Sequence, residues 1–397
     1  MTEIKIVSGL NFGDESKGLV TNALSKPNSL VIMASNSCQR SHTVVHEGKR
    51  HAFRHFGSGT FKGAATYFTD KFYVNPAMFR QEWEKLVEMG IEPKVYCNSW
   101  SMVITPVDMF ANVFVEELRG KDSHSSTGCG VWEAQKRIHR VIERRSECHF
   151  IRGYYIDDIN TYYLDEMLDY YKLYLEDYEA AKDFLNGEAL KDNILDDIEF
   201  MKSHITLIRN DFEQRDLLHS YPLLIFENSQ GLLLDSEITK DLIHSTPASV
   251  GAKMPAKYID QNFSPKDNYT IENFYVTRTY FTRHGKGRMG ENGECKREDI
   301  NPFMFDKTNI TNPNQGRLRY GIIGEEDVKL MEKRIRYDAS HLDICRPFNG
   351  DYRKNNLVIT HTNEFESQPL MDGVEKGFKG ISIYTSDNET DIKLERI

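Results

Sequence analysis

Gly9-Leu10-Asn11-Phe12-Gly13-Asp14-Glu15-Ser16-Lys17-Gly18 follows a short apolar run, residues 4–9, and precedes LVTNAL at 19–24. The pattern predicts a buried strand, a polar glycine-rich loop and a helix. That arrangement turns backbone amides and a helix N-terminus toward a phosphate. The glycines let backbone approach the anion, and Lys17 adds a positive charge. The GxxxxGK[ST] spacing is absent, so this is not a Walker A loop. Asp14 is the unusual member, because a carboxylate beside phosphates repels them unless it holds magnesium or takes a proton. On this stretch alone, a structural turn and a phosphate loop account for the residues equally well.

Reading outward, residues 29–34 predict a second strand, which runs into the polar loop 35–42. Loops at the ends of adjacent strands converge on one place. Residues 79–89 predict an amphipathic helix closed by Gly90. From about 156 to 218 the chain is rich in Asp, Glu, Tyr, Leu and Lys at helical spacing. This predicts two or three amphipathic helices inserted as a lid or subdomain, its acidity a solvated face. YPLLIFE at 221–227 is a buried strand with a polar loop at 228–231, and residues 356–365 repeat the pattern. The fold class expected is α/β: a single large domain over 1–397 with a mostly parallel central sheet flanked by helices, plus the helical insertion.

A net charge of −10 argues against a nucleic-acid backbone as main partner, which needs a basic face. It leaves room for a small phosphorylated ligand in a local basic pocket. The six cysteines are far apart, with no CxxC pair for zinc or redox chemistry. No apolar run approaches the roughly 18 residues of a membrane span. The N-terminus lacks a basic stretch followed by an apolar one. A cytoplasmic protein without a membrane partner is expected (host cytoplasm if viral).

The loop Asn36-Ser37-Cys38-Gln39-Arg40-Ser41-His42-Thr43-Val44-Val45 tips the balance. With the first loop it resembles the adenylosuccinate synthetase family, whose signature is a G-D-E-G-K-G loop followed by N-A-G-H-T-V. Further likenesses keep the family's order. HFGSGTF at 55–61 resembles H-L-L-P-S-G, and Thr127-Gly128-Cys129-Gly130 resembles T-G-R-G. FENSQGLLLD at 226–235 resembles F-E-G-A-Q-G-x-x-L-D, and YFTRHGKG at 280–287 resembles Y-x-T-R-x-G-x-G. Gly316-Arg317-Leu318-Arg319 resembles G-R-R-R, and residues 384–390 resemble S-T-G-P-D-R-x-E-T.

The resemblance implies a two-step ligation. A nucleoside triphosphate phosphorylates the 6-oxygen of a purine monophosphate, and the amine of L-aspartate then displaces that phosphate. It implies Asp14 as the base for the N1 proton and as a magnesium ligand, with the Ser41 carbonyl as a second. It implies His42 as the group polarising the transferring phosphoryl, an imidazolium offsetting charge on the bridging oxygen. Gln230 would contact the purine or its O6. Asn11, Gly13, Glu15, Ser16, Lys17, Gly18 and Thr43 match the donor-phosphate positions, and His361, Asn363 and Ser386 the donor base. Gln39, Ser126, Thr127, Gly128, Gln230 and Thr246 match the acceptor nucleotide. A homodimer is implied, with an arginine crossing to the neighbouring acceptor phosphate. Arg137, Arg140 and Arg144 are candidates, and Arg140 fits best. Arg317 and Arg319, with Asn314, match the aspartate site, where a forked guanidinium suits a carboxylate.

The departures are informative. The family has K-x-D where this chain has His361-Thr362-Asn363, and its aspartate accepts from the N1 and N2 protons of guanine. A carboxamide both donates and accepts, so it can pair with the N1 and N6 edge of adenine. ATP or dATP is therefore the expected donor. This resembles the bacteriophage branch, which acts on dGMP in making 2-aminoadenine nucleotides. Ser16, Gln39, Cys129 and GRMGENGE at 287–294 also depart from the common pattern. Many phage members replace the catalytic aspartate by serine, whereas this chain keeps Asp14. A carboxylate can accept from both N1–H and N2–H of guanine, so dGMP is the favoured acceptor and IMP the alternative. From another class, an inactive nucleotide-binding regulator would not need Asp14, Lys17, His42, Gln230 and Arg317 together.

Overall fold

In the computed structural model the described residues are 1–123, 126–144, 154–175, 178–187, 189–239, 244–246, 249–303, 314, 316–345, 353–376, 378, 380–389 and 395–396. Ten strands form one sheet. In chain order they are β1 (Thr2–Gly9), β2 (Ser29–Met33), β3 (Ala65–Phe68), β4 (Val95–Asn98), β5 (Thr206–Ile208), β6 (Leu223–Gly231), β7 (Tyr269–Arg278), β8 (Arg353–Thr360), β9 (Ile381–Thr385) and β10 (Glu395–Arg396). Their spatial order is β10-β9-β8-β7-β1-β6-β2-β3-β4-β5. Every pairing is parallel except β9 with β10.

The two-residue period of the strands divides the core. Ile4 and Ile6, Leu30 and Ile32, Leu224 and Phe226 face one layer. Val7, Val31, Met33, Ile225, Phe274 and Val358 face the other. Burial on both faces is what parallel strands require, and it explains their near-continuous apolar runs. The expected α/β class with a mostly parallel central sheet is the observed one.

The helical stretch is richer than expected. Residues 156–218 hold the helices Thr161–Tyr174, Glu179–Leu185, Leu190–Ser203 and Asp211–His219, and also β5 at the sheet edge. They pack with the helix Pro106–Arg119, where Asp108 accepts from Arg137 Nε at 2.9 Å and from Tyr171. The expected helix at 79–89 begins earlier, at Pro76. Asn75 caps it by accepting from the Met78 N–H, and Gly90 follows it with φ 76°. Among the described residues no helix is long and apolar enough to cross a membrane.

The parallel sheet puts the C-terminal ends of β1, β6, β7, β8 and β9 at one edge. The segments after β1, β7, β8 and β9 (10–18, 279–287, 361–364 and 386–389) therefore meet there, at the place where α/β sheets bind ligands.

Candidate active site

The first loop is folded by its own acid. Glu15 turns inward and accepts from the N–H of Asn11 at 3.0 Å and of Gly13 at 2.8 Å, with Lys17 Nζ at 3.3 Å. A Cβ on Gly9 would lie 2.4 Å from that carboxylate, so glycine is required there. Asn11 is also buried, its amide donating to Thr277 Oγ1 at 2.8 Å. Asn11 and Glu15 thus shape the loop and do not line the cleft. The helix Lys17–Leu24 has no side-chain cap, which leaves its first amides for an anion. Ser16, in front of it, holds a left-handed backbone at φ 71°. Gln230 (φ 63°) and His361 (φ 60°) do the same, three of the four such non-glycine residues among those described. Backbone strain of this kind gathers at functional sites.

An open cleft of about 370 Å³ lies over the loop. Gly13, Asp14, Ser16, Lys17 and Gly18 form its floor, and Ser41, His42 and Thr43 one wall. His361, Asn363, Glu364 and the segment 386–389 also line it. Residues assigned from sequence to phosphate, metal and donor base thus share one space. Asp14 is part-exposed, with His284 Nε2 3.9 Å from its carboxylate and Arg278 Nε bonded to its carbonyl.

His42 is held from behind. Its Nδ1 lies 2.8 Å from Glu227 Oε1. Glu227 also accepts from Arg40 NH1 and the Ser58 N–H, both at 2.9 Å, and from the Ser58 hydroxyl. Because the carboxylate only accepts, Nδ1 carries the hydrogen and Nε2 is left for a ligand. Burial pulls His42 down to about 4 and outweighs the pull of Glu227 the other way. The imidazole is therefore neutral at pH 7. Burial alone would raise the Glu227 carboxyl; Arg40, His42 and Ser58 override it and hold it well below its usual range.

A second group of predicted residues is absent from the lining of this cleft. Asn314 Nδ2 donates to the Thr127 carbonyl at 3.2 Å, and Ser126 Oγ to Asn112 at 2.8 Å. A Cβ on Gly128 would collide with Asn314, 2.3 Å away. Arg319 donates to the Gly285 and Gly287 carbonyls and, with Arg317, pairs with Glu294. Cys38 and Cys129 tie the loop carrying Gln39 to the loop carrying Thr127. A hydrogen bond from Cys38 draws the Cys129 thiol below its usual range, against the effect of burial. Thr246 is buried beside the segment that follows β6, its N–H donating to the Leu234 carbonyl. Gln230 lies beneath the first loop, its backbone against Gly13, outside the cleft lining. Of the candidate arginines, Arg137 is fully buried against Asp108 and cannot reach a neighbour. The side chains of Arg140 and Arg144 fall outside the described residues.

The adenylosuccinate synthetase family model matches residues 6–309. The chain belongs to the adenylosuccinate synthetase family. Adenylosuccinate synthetase of Clostridium beijerinckii is 25% identical over 307 residues, covering 74% of this chain and 68% of that protein. Among solved structures, the cyanophage S-2L succinoaminodeoxyadenylate synthetase, bound to dGMP and dATP as an energy donor, superposes with a TM-score of 0.63. It is 13% identical and covers 98% of this chain and 94% of that one. Adenylosuccinate synthetase of Plasmodium falciparum gives a TM-score of 0.62 at 14% identity, covering 90% and 76%. Membership makes the protein a ligase of the adenylosuccinate synthetase type, a family that works with a nucleoside triphosphate and Mg²⁺.

Sequence reading missed Arg40, Glu227, Arg278 and Glu364. For Glu227 a signal was present: a lone acid ending the apolar run of β6, where burial demands a partner. Arg40 gave no such signal, since its partner is 187 positions away.

Proposed function

We propose that this protein joins L-aspartate to C6 of dGMP, driven by ATP or dATP, to give N6-succino-2-amino-dAMP. The observation that carries the reading is Asn363 on the lining of the cleft that the glycine-rich loop also lines, a carboxamide where the family reads guanine with a carboxylate. The fold shared with a phage enzyme solved with dGMP and dATP supports it.

Asp14 takes the N1 proton of the acceptor purine and O6 attacks the γ-phosphorus as the nucleoside diphosphate leaves; the aspartate amine then attacks C6, loses a proton and displaces the phosphate. His42, neutral by burial, gains a proton as phosphate charge approaches and donates from Nε2 to the phosphoryl oxygens. Glu227 keeps its ring oriented. The uncapped helix N-terminus, Lys17 and Thr43 bind phosphates, and Arg317, Arg319 and Asn314 hold aspartate. Gln39, Ser126, Thr127, Gly128, Gln230 and Thr246 hold the acceptor, with Arg140 of a partner subunit on its phosphate. Magnesium suits this cleft, because Asp14 and the Ser41 carbonyl offer hard oxygens on its lining; bound there it would neutralise phosphate charge.

Asp14 itself favours the second reading, IMP as acceptor, since many phage members carry serine there. Phosphate release with L-aspartate, Mg²⁺ and ATP, comparing dGMP with IMP and ATP with GTP, tests both. Turnover with dGMP and ATP alone is expected. Turnover confined to IMP and GTP would overturn the proposal.

A further inference from the structure

Asn363 has a neighbour on the cleft wall that sequence gave no reason to notice. After β8 the chain turns at His361, and the Glu364 N–H closes the turn on the His361 carbonyl at 3.0 Å. The turn puts both Asn363 and Glu364 on the lining. The Glu364 carboxylate is aimed from behind. Its Oε2 accepts from the Tyr280 hydroxyl, which in turn accepts from Arg278 NH1 at 2.9 Å. Asn301 Nδ2 holds the Glu364 carbonyl at 3.1 Å. Glu364 Oε1 and the Asn363 amide have no hydrogen-bond partner among the described residues. One fixed acceptor and one free carboxamide therefore stand side by side, facing the cleft.

The Asn363 carboxamide admits the adenine edge, which a carboxylate would repel at N1, but by itself it does not exclude a 6-oxo purine. By flipping, it offers oxygen to an amine or nitrogen to a carbonyl. A carboxylate cannot flip, because both its oxygens only accept. We infer that Glu364 is a specificity-determining residue that takes the 6-amino group of the donor purine, fixing Asn363 to donate to N1. A 6-oxo purine in the same place turns oxygen lone pairs toward an anion and is rejected. The inference deepens the ATP or dATP reading above and rests on it.

Calorimetric titration of the full chain with Mg²⁺ and three donors tests it without needing turnover. The donors are ATP, purine riboside triphosphate, which lacks the 6-amino group, and ITP, which has a 6-oxo group. A hydrogen bond to a charged group separates ATP from purine riboside triphosphate by about 10- to 150-fold in Kd, with ITP weaker still. Glu364→Gln is expected to bind ITP more tightly than the parent does, and to lower the ATP-to-ITP ratio at least tenfold. Glu364→Ala loses the preference for ATP without gaining ITP. Tyr280→Phe, which leaves the carboxylate in place but unaimed, moves the ratio the same way by less. If Glu364→Gln weakens all three donors equally while the parent prefers ATP, Glu364 merely shapes the turn and the inference falls, with the donor reading intact. A parent chain that prefers ITP overturns the donor reading and the inference with it.

Discussion

Replacing Glu227 by glutamine removes one charge from a network with almost no access to water. The Arg40 side chain is 1% exposed and that of Glu227 0%, and Glu227 is the anion paired with both Arg40 and His42. The amide keeps the shape. Its NH₂ group, however, faces donors from Ser58 or Arg40, and Arg40 loses its counter-charge. Breaking a buried pair from one side costs about 3–5 kcal/mol, against a total stability of about 5–15 kcal/mol. The folded-to-unfolded ratio should then fall by about 10²–10⁴, measured by urea unfolding at pH 7. The loss should be partly recovered by Arg40→Met in the same chain, since no unpaired charge is then buried, although the Arg54, His55 and Phe56 carbonyls lose the donor that Arg40 gave them. Losing the anion also pushes the His42 imidazole further down, so phosphate release should fall in the single variant even where it is folded. A Glu227→Gln chain within about 1 kcal/mol of the parent, or a double variant whose losses simply add, would refute the reasoning.

His42→Asn should lower phosphate release by about 10²–10⁴-fold with a smaller change in donor Kd, compared by stopped assay and titration. Its sign with pH is also set. The folded imidazole stays neutral down to about 4, while the unfolded one takes a proton near 6.5, so the parent loses stability as pH falls through that window. His42→Asn should flatten that loss, which amounts to about 3 kcal/mol, in urea titrations from pH 7 to 4. Asp338 behaves oppositely. Burial raises its carboxyl to about 6, although the Ala252 N–H and the Tyr275 hydroxyl bond it. Its contribution is full below the ordinary 3.8 and is lost as pH rises through 6. Asp338→Asn should therefore raise Tm at pH 8 and change it little at pH 4. Ser16→Gly should raise stability by about 0.5–1 kcal/mol, by relieving a left-handed backbone, provided urea midpoints are taken without nucleotide.

Much of the cleft lining was readable because its signals are local. Glycines, a lysine at a helix start and an asparagine after a strand all declare themselves within a few residues. The strand β7 was not readable. Thr270, Glu272, Asn273 and Thr277 interrupt its apolar residues, so that its place beside β1 is set by tertiary burial. The strand β5 is three residues long inside a helical stretch, too short for any period to register. Arg40, Glu227 and the Tyr280–Glu364 contact depend on partners far along the chain, and no spacing rule reaches that distance. Asn11 and Glu15 were legible as loop residues, but only the fold tells that their side chains turn inward.

The position of β1 has a consequence for synthesis. Its neighbours are β6 and β7, with Glu3 paired to Leu223 and Thr2 to Tyr269. The first strand leaves the ribosome with nothing to pair with, and at about 5–20 residues per second it waits roughly 10–45 s for the first of them. Until then the glycine-rich loop has no sheet edge beneath it and cannot hold a nucleotide. Chains interrupted before residue 223 carry every residue of that loop and none of its binding. During that interval an apolar strand is open to wrong partners, so slower elongation early in the message should raise the demand for chaperones, and faster completion of β6 should lower it.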